Sequence, residues 1–229
     1  TRLDRLARLL QEQGDYAAAE PLYRRALAIA DKALGLEHPN TGTILNNLAG
    51  LLLAKGDYAG AEPLYRRALA IAEKVHGLES AETASCLYAL GNVLAELGRA
   101  DEAEPLLRRE IGIVRTTEGT ESTSLAASLR NLGVMLRNAG RVDEAAQLLE
   151  EAITIHRRRA AAGSEVDTAE FTAALSALGQ ARMMQDRLPE AASLLEECLA
   201  IRTATLPEGD ERIALVRNQL AEVRDRIGN

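Results

Sequence analysis

Tryptophan is absent from these 229 residues, phenylalanine occurs once, and aromatic residues make up 3% of a chain that is 47% hydrophobic. A sheet held by aromatic and β-branched cross-strand pairs fits that composition poorly, whereas long runs of alanine and leucine favour an all-α fold. Cysteine is scarce as well. Cys86 and Cys198 lie 112 residues apart, and neither has a second cysteine or a histidine at ligand spacing. A disulfide scaffold and a cysteine-based metal site are thereby not expected, and both thiols read as reduced and structural. Positive charge is in deficit: 27 basic against 34 acidic residues leave a formal charge of −7 and a pI near 5.2. This argues against a sequence-independent grip on nucleic acid or on an anionic membrane. Only Lys32, Lys55 and Lys74 are lysine, a bias that suggests a GC-rich bacterial gene.

No apolar run reaches the roughly 20 residues that a membrane helix requires. The opening TRLDRLARLL is amphipathic and unlike a signal peptide, so a cytoplasmic protein is expected. Catalytic signatures are missing too. There is no glycine-rich phosphate loop ending in Lys and Ser or Thr, no His-Glu-x-x-His, and no glycine-flanked nucleophilic serine. His38, His76 and His156 fall in different parts of the chain, the first two in turns near helix ends. The expectation is a chain that is not an enzyme and needs no cofactor.

What the sequence does contain is itself, several times over. AEPLYRRALAIA occurs at 19–30 and again, unchanged, at 61–72. The longer phrase starting at Gly14 recurs from Gly56, then more loosely from Gly98, Gly140 and Asp186, at spacings of 42, 42, 42 and 46 residues. The extra four residues are expected between Arg157 and Asp167. Ahead of each copy lies a second helical stretch, such as TILNNLAGLLLAKG, with Leu45, Leu48, Leu51 and Leu52 on one face. Each unit is therefore a helix pair, and one pair cannot bury its apolar stripe alone; near-identical units stack through near-identical interfaces.

Small residues recur where paired helices must cross: Ala7, Ala49, Gly91, Gly133, Gly179 and Ala221 on the first helix, and Ala19, Ala61, Ala103, Ala145 and Ala191 on the second. A third column, Ala26, Ala68, Ala152 and Cys198, is expected to meet the next pair. Glu110 interrupts it, and should turn to solvent or find an arginine. Pro63 follows Asp57, the expected cap, by six residues, at or just beyond the free N–H groups of the first turn.

This pattern resembles the tetratricopeptide repeat, and LGLEHPNT, LNNLA and GDYAGAEPLYRRALAI resemble its 42-residue form in kinesin light chains and bacterial multidomain proteins. The resemblance implies an all-α, right-handed superhelical solenoid: a first repeat at 1–34 with a truncated first helix, further repeats at 35–76, 77–118, 119–160 and 161–206, and a capping helix at 207–229. The natural protein is expected to continue upstream of Thr1. First helices would line a concave groove whose candidate peptide-binding residues are Arg5, Arg8, Asn46, Asn47, Tyr88, Asn92, Arg130, Asn131, Arg137, Asn138, Gln180 and Met184. Asn47 and Asn131 share a column and could clamp a peptide backbone or bond to neighbouring repeats, while Arg130 and Arg137 suit a carboxylate-bearing ligand or an ordinary solvated face. The family's chaperone-binding carboxylate clamp is not expected, because Tyr88, Ala173 and Ala177 stand where its basic residues belong.

On the second helices, Arg24-Arg25, Arg66-Arg67 and Arg108-Arg109 give way to Glu150-Glu151 and Glu196-Glu197. Pairing along the helix explains the arginines, since Glu20, Glu62 and Glu104 each precede one by four residues; self-association through complementary ridges is the alternative. The functional expectation is a scaffold that binds a protein or peptide partner in the groove. The alternative is a sensor or oligomerising segment of a larger bacterial signalling or defence protein, with its effector domain elsewhere.

Overall fold

The computed structural model describes residues 2–228 as eleven α-helices and no strand. They form two compact units, Thr1–Thr117 and Glu118–Asn229. The first unit holds α1 (Arg2–Glu12), α2 (Tyr16–Ala33), α3 (Pro39–Ala54), α4 (Tyr58–His76), α5 (Ala81–Glu96) and α6 (Ala100–Thr117). The second holds α7 (Thr123–Asn138), α8 (Val142–Ala161), α9 (Thr168–Met184), α10 (Leu188–Thr205) and α11 (Glu211–Gly228).

Turn chemistry sets the helix boundaries. Gly14, Gly56, Gly98 and Gly140 take φ between +74° and +81° at the turn within each pair, and Asp186 takes the same left-handed conformation at +60° in the fifth. Glycine adopts that region without cost, whereas a residue with a Cβ is strained there. Side-chain caps then start the next helix: Asp15 accepts from Ala18 N, Asp57 from Gly60 N, Ser80 from Thr83 N and Ser122 from Leu125 N.

The small columns sit at the crossings as expected. Ala19, Ala61, Ala103, Ala145 and Ala191 are all fully buried, as are Ala7 and Ala49 opposite the first two. A Cβ added at Gly91 would lie 2.6 Å from Leu107, at Gly133 2.9 Å from Leu149, and at Gly179 3.0 Å from Leu195. Where the first helix carries alanine, at Ala7 and Ala49, the second carries Tyr23 and Tyr65 in place of that leucine. The branched leucine needs the space that a methyl would occupy.

One expectation is corrected. Ala221 is exposed, because no helix follows α11 among the described residues to cross it. Glu110 is buried at 3% exposure, so of the two fates expected for it the turn to solvent is not the one taken. Pro21, Pro63 and Pro105 lie inside their helices, just beyond the free first-turn N–H groups and within the placement expected for Pro63, so each removes one internal hydrogen bond and the helix continues. The extra residues of the fourth spacing fall in and beside the expected 157–167 stretch, shared between the helix ends and the connection: α8 runs to 20 residues and α9 to 17, where α6 has 18 and α7 has 16.

Candidate functional site

The twelve candidate residues do not behave as one set. In the first unit, Asn47 Nδ2 donates to Asp4 Oδ1 at 2.9 Å, so this amide ties α3 to α1, the bond between neighbouring repeats. Arg5 is exposed, and Arg8 stands near Glu12 on its own helix at 3.8 Å. Tyr88 and Asn92 are half-buried on α5. In the second unit, Arg130 grips Glu170 with two hydrogen bonds of 2.8 and 3.1 Å, which neutralises half of the basic patch. Arg137 bonds the Asn138 side chain and reaches the Ala177 carbonyl at 3.5 Å, and burial pulls its pKa down. Asn131 and Gln180 are half-buried, while Asn138 and Met184 are exposed.

Asn46 is different. Its Oδ1 is buried and accepts no hydrogen bond. It lines a cavity of about 360 Å³ walled by α3 and α5 and floored by α4, with Ala68, Ile71 and Ala72 beneath and Ser85 and Cys86 opposite. The floor belongs to an apolar cluster of Leu45, Ala68, Ile71, Ala72 and Cys86, so the space is apolar beneath, with Thr43, Asn46, His76, Glu82 and Ser85 among its polar lining. Burial pushes the Cys86 thiol up to about 11 and the Tyr65 phenol up to about 12, which keeps both protonated at neutral pH. A buried thiol of that kind is a poor nucleophile. The cavity's lining escaped the sequence reading because Ile71 and Ser85 come from helices whose juxtaposition no local pattern reports. A usable signal was α3 itself, PNTGTILNNLAGLLLA, which carries no charged residue at all.

Most of the ridge residues are paired within their own unit. Arg24, Arg66 and Arg108 pair with Glu20, Glu62 and Glu104 of their own helices at 2.8 Å, while Arg67 pairs with Asp31 and Arg109 with Glu73 of the preceding repeat. Glu62 is held below the usual carboxylate range by Arg66 and then Arg99. In the second unit Glu150 takes a hydrogen bond from buried Arg182, Glu196 from Arg224, and Glu197 from Arg157. The acidic letters thus appear where an arginine has replaced a core leucine on the next helix: Leu52, Leu94 and Leu136 share a column with Arg182 and Arg224. Pairing along single helices and pairing between neighbouring repeats together hold most of the ridge residues.

Matches to models described as "Tetratricopeptide repeat" span residues 2–74, 42–116, 82–158 and 172–210. The chain belongs to the tetratricopeptide repeat family. Its fold class is the all-α repeat solenoid of that family, and solved structures agree. The crystal structure of BtubC (BKLC) from P. vanneervenii matches with a TM-score of 0.77 at 26% identity, covering 88% of this chain and 79% of that one. A putative kinesin light chain of Podosopora anserina with nearly identical tetratricopeptide-like repeats matches with a TM-score of 0.76 at 28% identity, covering 89% and 94%. YrrB, described as a tetratricopeptide protein with an unusual peptide-binding site, matches with a TM-score of 0.59 at 21% identity, covering 95% and 91%, a likeness of fold alone. No curated protein matches this tetratricopeptide chain by sequence. Among the described residues, no helix is long and apolar enough to cross a membrane, and no group of three or more His, Cys, Asp or Glu could hold a metal ion.

Proposed function

We propose that this tetratricopeptide chain is a protein-interaction scaffold that holds an extended segment of a partner protein against its first helices, centred on the cavity between α3 and α5. The observation that carries the reading is the orphaned Asn46 Oδ1 beside an apolar floor. A buried amide oxygen without a donor costs about 1–3 kcal/mol, and a backbone N–H from an added strand of peptide would satisfy it. The neighbouring apolar floor offers a socket for a side chain. Tetratricopeptide relatives support the same class of work, YrrB among them by the peptide-binding site that its description names.

The test is capture of partners from lysate on the immobilised chain, compared with an Asn46→Ala, Ser85→Phe double variant. Both changed positions lie outside the helix crossings, and circular dichroism would check that the variant folds. Partners that the parent retains and the variant loses support the cavity as the docking site. Identical sets from both chains would move the interaction elsewhere on the surface.

A further inference from the structure

The cavity between α3 and α5 carries a charge preference that the repeat fold does not dictate. Its lining holds one residue with a full formal charge at neutral pH, Glu82, exposed on the first turn of α5. Glu82 makes no ion pair among the described residues. In the same unit Glu20, Asp31, Glu37, Glu62, Glu73, Glu102 and Glu104 each hold an arginine or a lysine, so Glu82 is one of the carboxylates left over for an outside cation and the one that lines the cavity. No arginine or lysine lines the space, and α3 has none to offer.

Helix ends weigh on the other side. The N-termini of α3 and α5 border the cavity and contribute about half a positive charge each, while the C-terminus of α4 contributes about half a negative one. His38 and Ser80 already cap the two N-termini, at Asn40 N and Thr83 N. With the full charge of Glu82 added, the local sum stays negative by about half a unit.

Resting on the scaffold reading above, we infer that the occupant is an extended peptide segment with one aliphatic side chain flanked by a lysine or arginine. The aliphatic group enters over Ala68, Ile71 and Ala72. Asn46 Oδ1 accepts a backbone N–H of the segment, and the flanking cation faces Glu82. A volume of about 360 Å³ lies at the small end of ligand pockets, which suits one anchoring side chain rather than a folded surface. An acidic segment would instead bring like charge against Glu82 with no basic group of the lining to offset it. Cys86 stays a neutral wall of the socket.

A randomised dodecapeptide library displayed on phage, selected in parallel on the parent chain, Glu82→Arg and Ser85→Phe, tests the inference. Enrichment on the parent of sequences with Lys or Arg next to Leu, Ile or Val, reversed towards Asp or Glu on Glu82→Arg, is the expected result. A synthetic peptide from that pool should then lose about two- to fivefold in affinity on Glu82→Gln, the range of an exposed ion pair, and the loss should shrink at 1 M salt. Enrichment of acidic peptides on the parent, lost on Ser85→Phe, would overturn the charge assignment and leave the scaffold reading standing. Equal pools on the parent and on Ser85→Phe, or no enrichment on either, would overturn both.

Discussion

A Cβ placed on Gly133 lies 2.9 Å from Leu149 Cγ and 3.2 Å from the Ala145 carbonyl, so α7 and α8 touch at a point where one methyl has no room. The same contact recurs between Gly91 and Leu107 and between Gly179 and Leu195. Alanine replaces the glycine where tyrosine replaces the leucine. The helix crossing is a matched pair of residues rather than a small residue alone.

That pairing predicts a rescue. Gly91→Ala should gain up to about 1 kcal/mol of helix propensity and lose about 1–3 kcal/mol to overpacking, for a net loss. Adding Leu107→Tyr, the combination present at Ala49 and Tyr65, should recover part of it. Urea midpoints of the two single variants and the double variant give the coupling directly. Additive losses would show that the tyrosine does not relieve the contact.

Arg182 and Glu150 form a second matched exchange. Arg182 is 5% exposed at a core leucine position, flanked by Glu150 and Glu190, with Glu190 at 3.3 Å. Arg182→Leu restores the leucine of Leu136 and frees two half-exposed carboxylates to hydrate, so stability should change by less than about 1 kcal/mol or rise. Glu150→Arg against an intact Arg182 should destabilise. Combining the two should return the chain close to its starting midpoint in urea, and failure to do so would separate the ridge from the core exchange.

Asp186 carries a backbone conformation that glycine carries in the four other copies. Asp186→Gly should leave stability unchanged or raise it, whereas Asp186→Ala should fall about 1 kcal/mol below the glycine variant. The Arg226 ion pair with Asp186 is solvent-exposed and lost in both, so the comparison isolates the backbone. Thermal midpoints measured side by side would decide it.

His156 is 1% exposed in α8, its ring 5.4 Å from that of Phe171, and its Nδ1 has no hydrogen-bond partner. Burial lowers its pKa, opposed by Glu170 and Asp167 and reinforced by Arg159 and Arg130. The unfolded chain therefore takes up a proton before the folded one does. The contribution to stability is complete above the unfolded value near 6.5 and is lost as pH falls below it. Urea midpoints at pH 7.5 and 5.5 should show a smaller drop for His156→Phe than for the parent; equal drops would clear this histidine.

Cys86 should resist alkylation. A thiol pushed up to about 11, against 9.0 for a free thiol, has a thiolate fraction about a hundredfold smaller at pH 8. Iodoacetamide labelling in native buffer should be slow and should accelerate in urea. Rapid native labelling would mean that the cavity opens more widely than its walls indicate.

Repetition at 42 residues, the small columns and the glycine turns were legible in the sequence because each is a local constraint that every copy must satisfy: a crossing that admits no side chain, a turn that needs positive φ, a stripe one face wide. From these the all-α fold and the helix pairs follow. The fate of polar side chains was not legible, because it depends on which atoms of other helices come within 3 Å. Asn46 and Asn47 are adjacent and alike in sequence, yet Asn47 is spent on Asp4 while Asn46 keeps an open acceptor over Ile71. Arg130 looked available until Glu170 arrived from the next repeat, 40 residues along the chain. Local pattern decided the scaffold, and only tertiary packing decided which side chains it leaves for a partner.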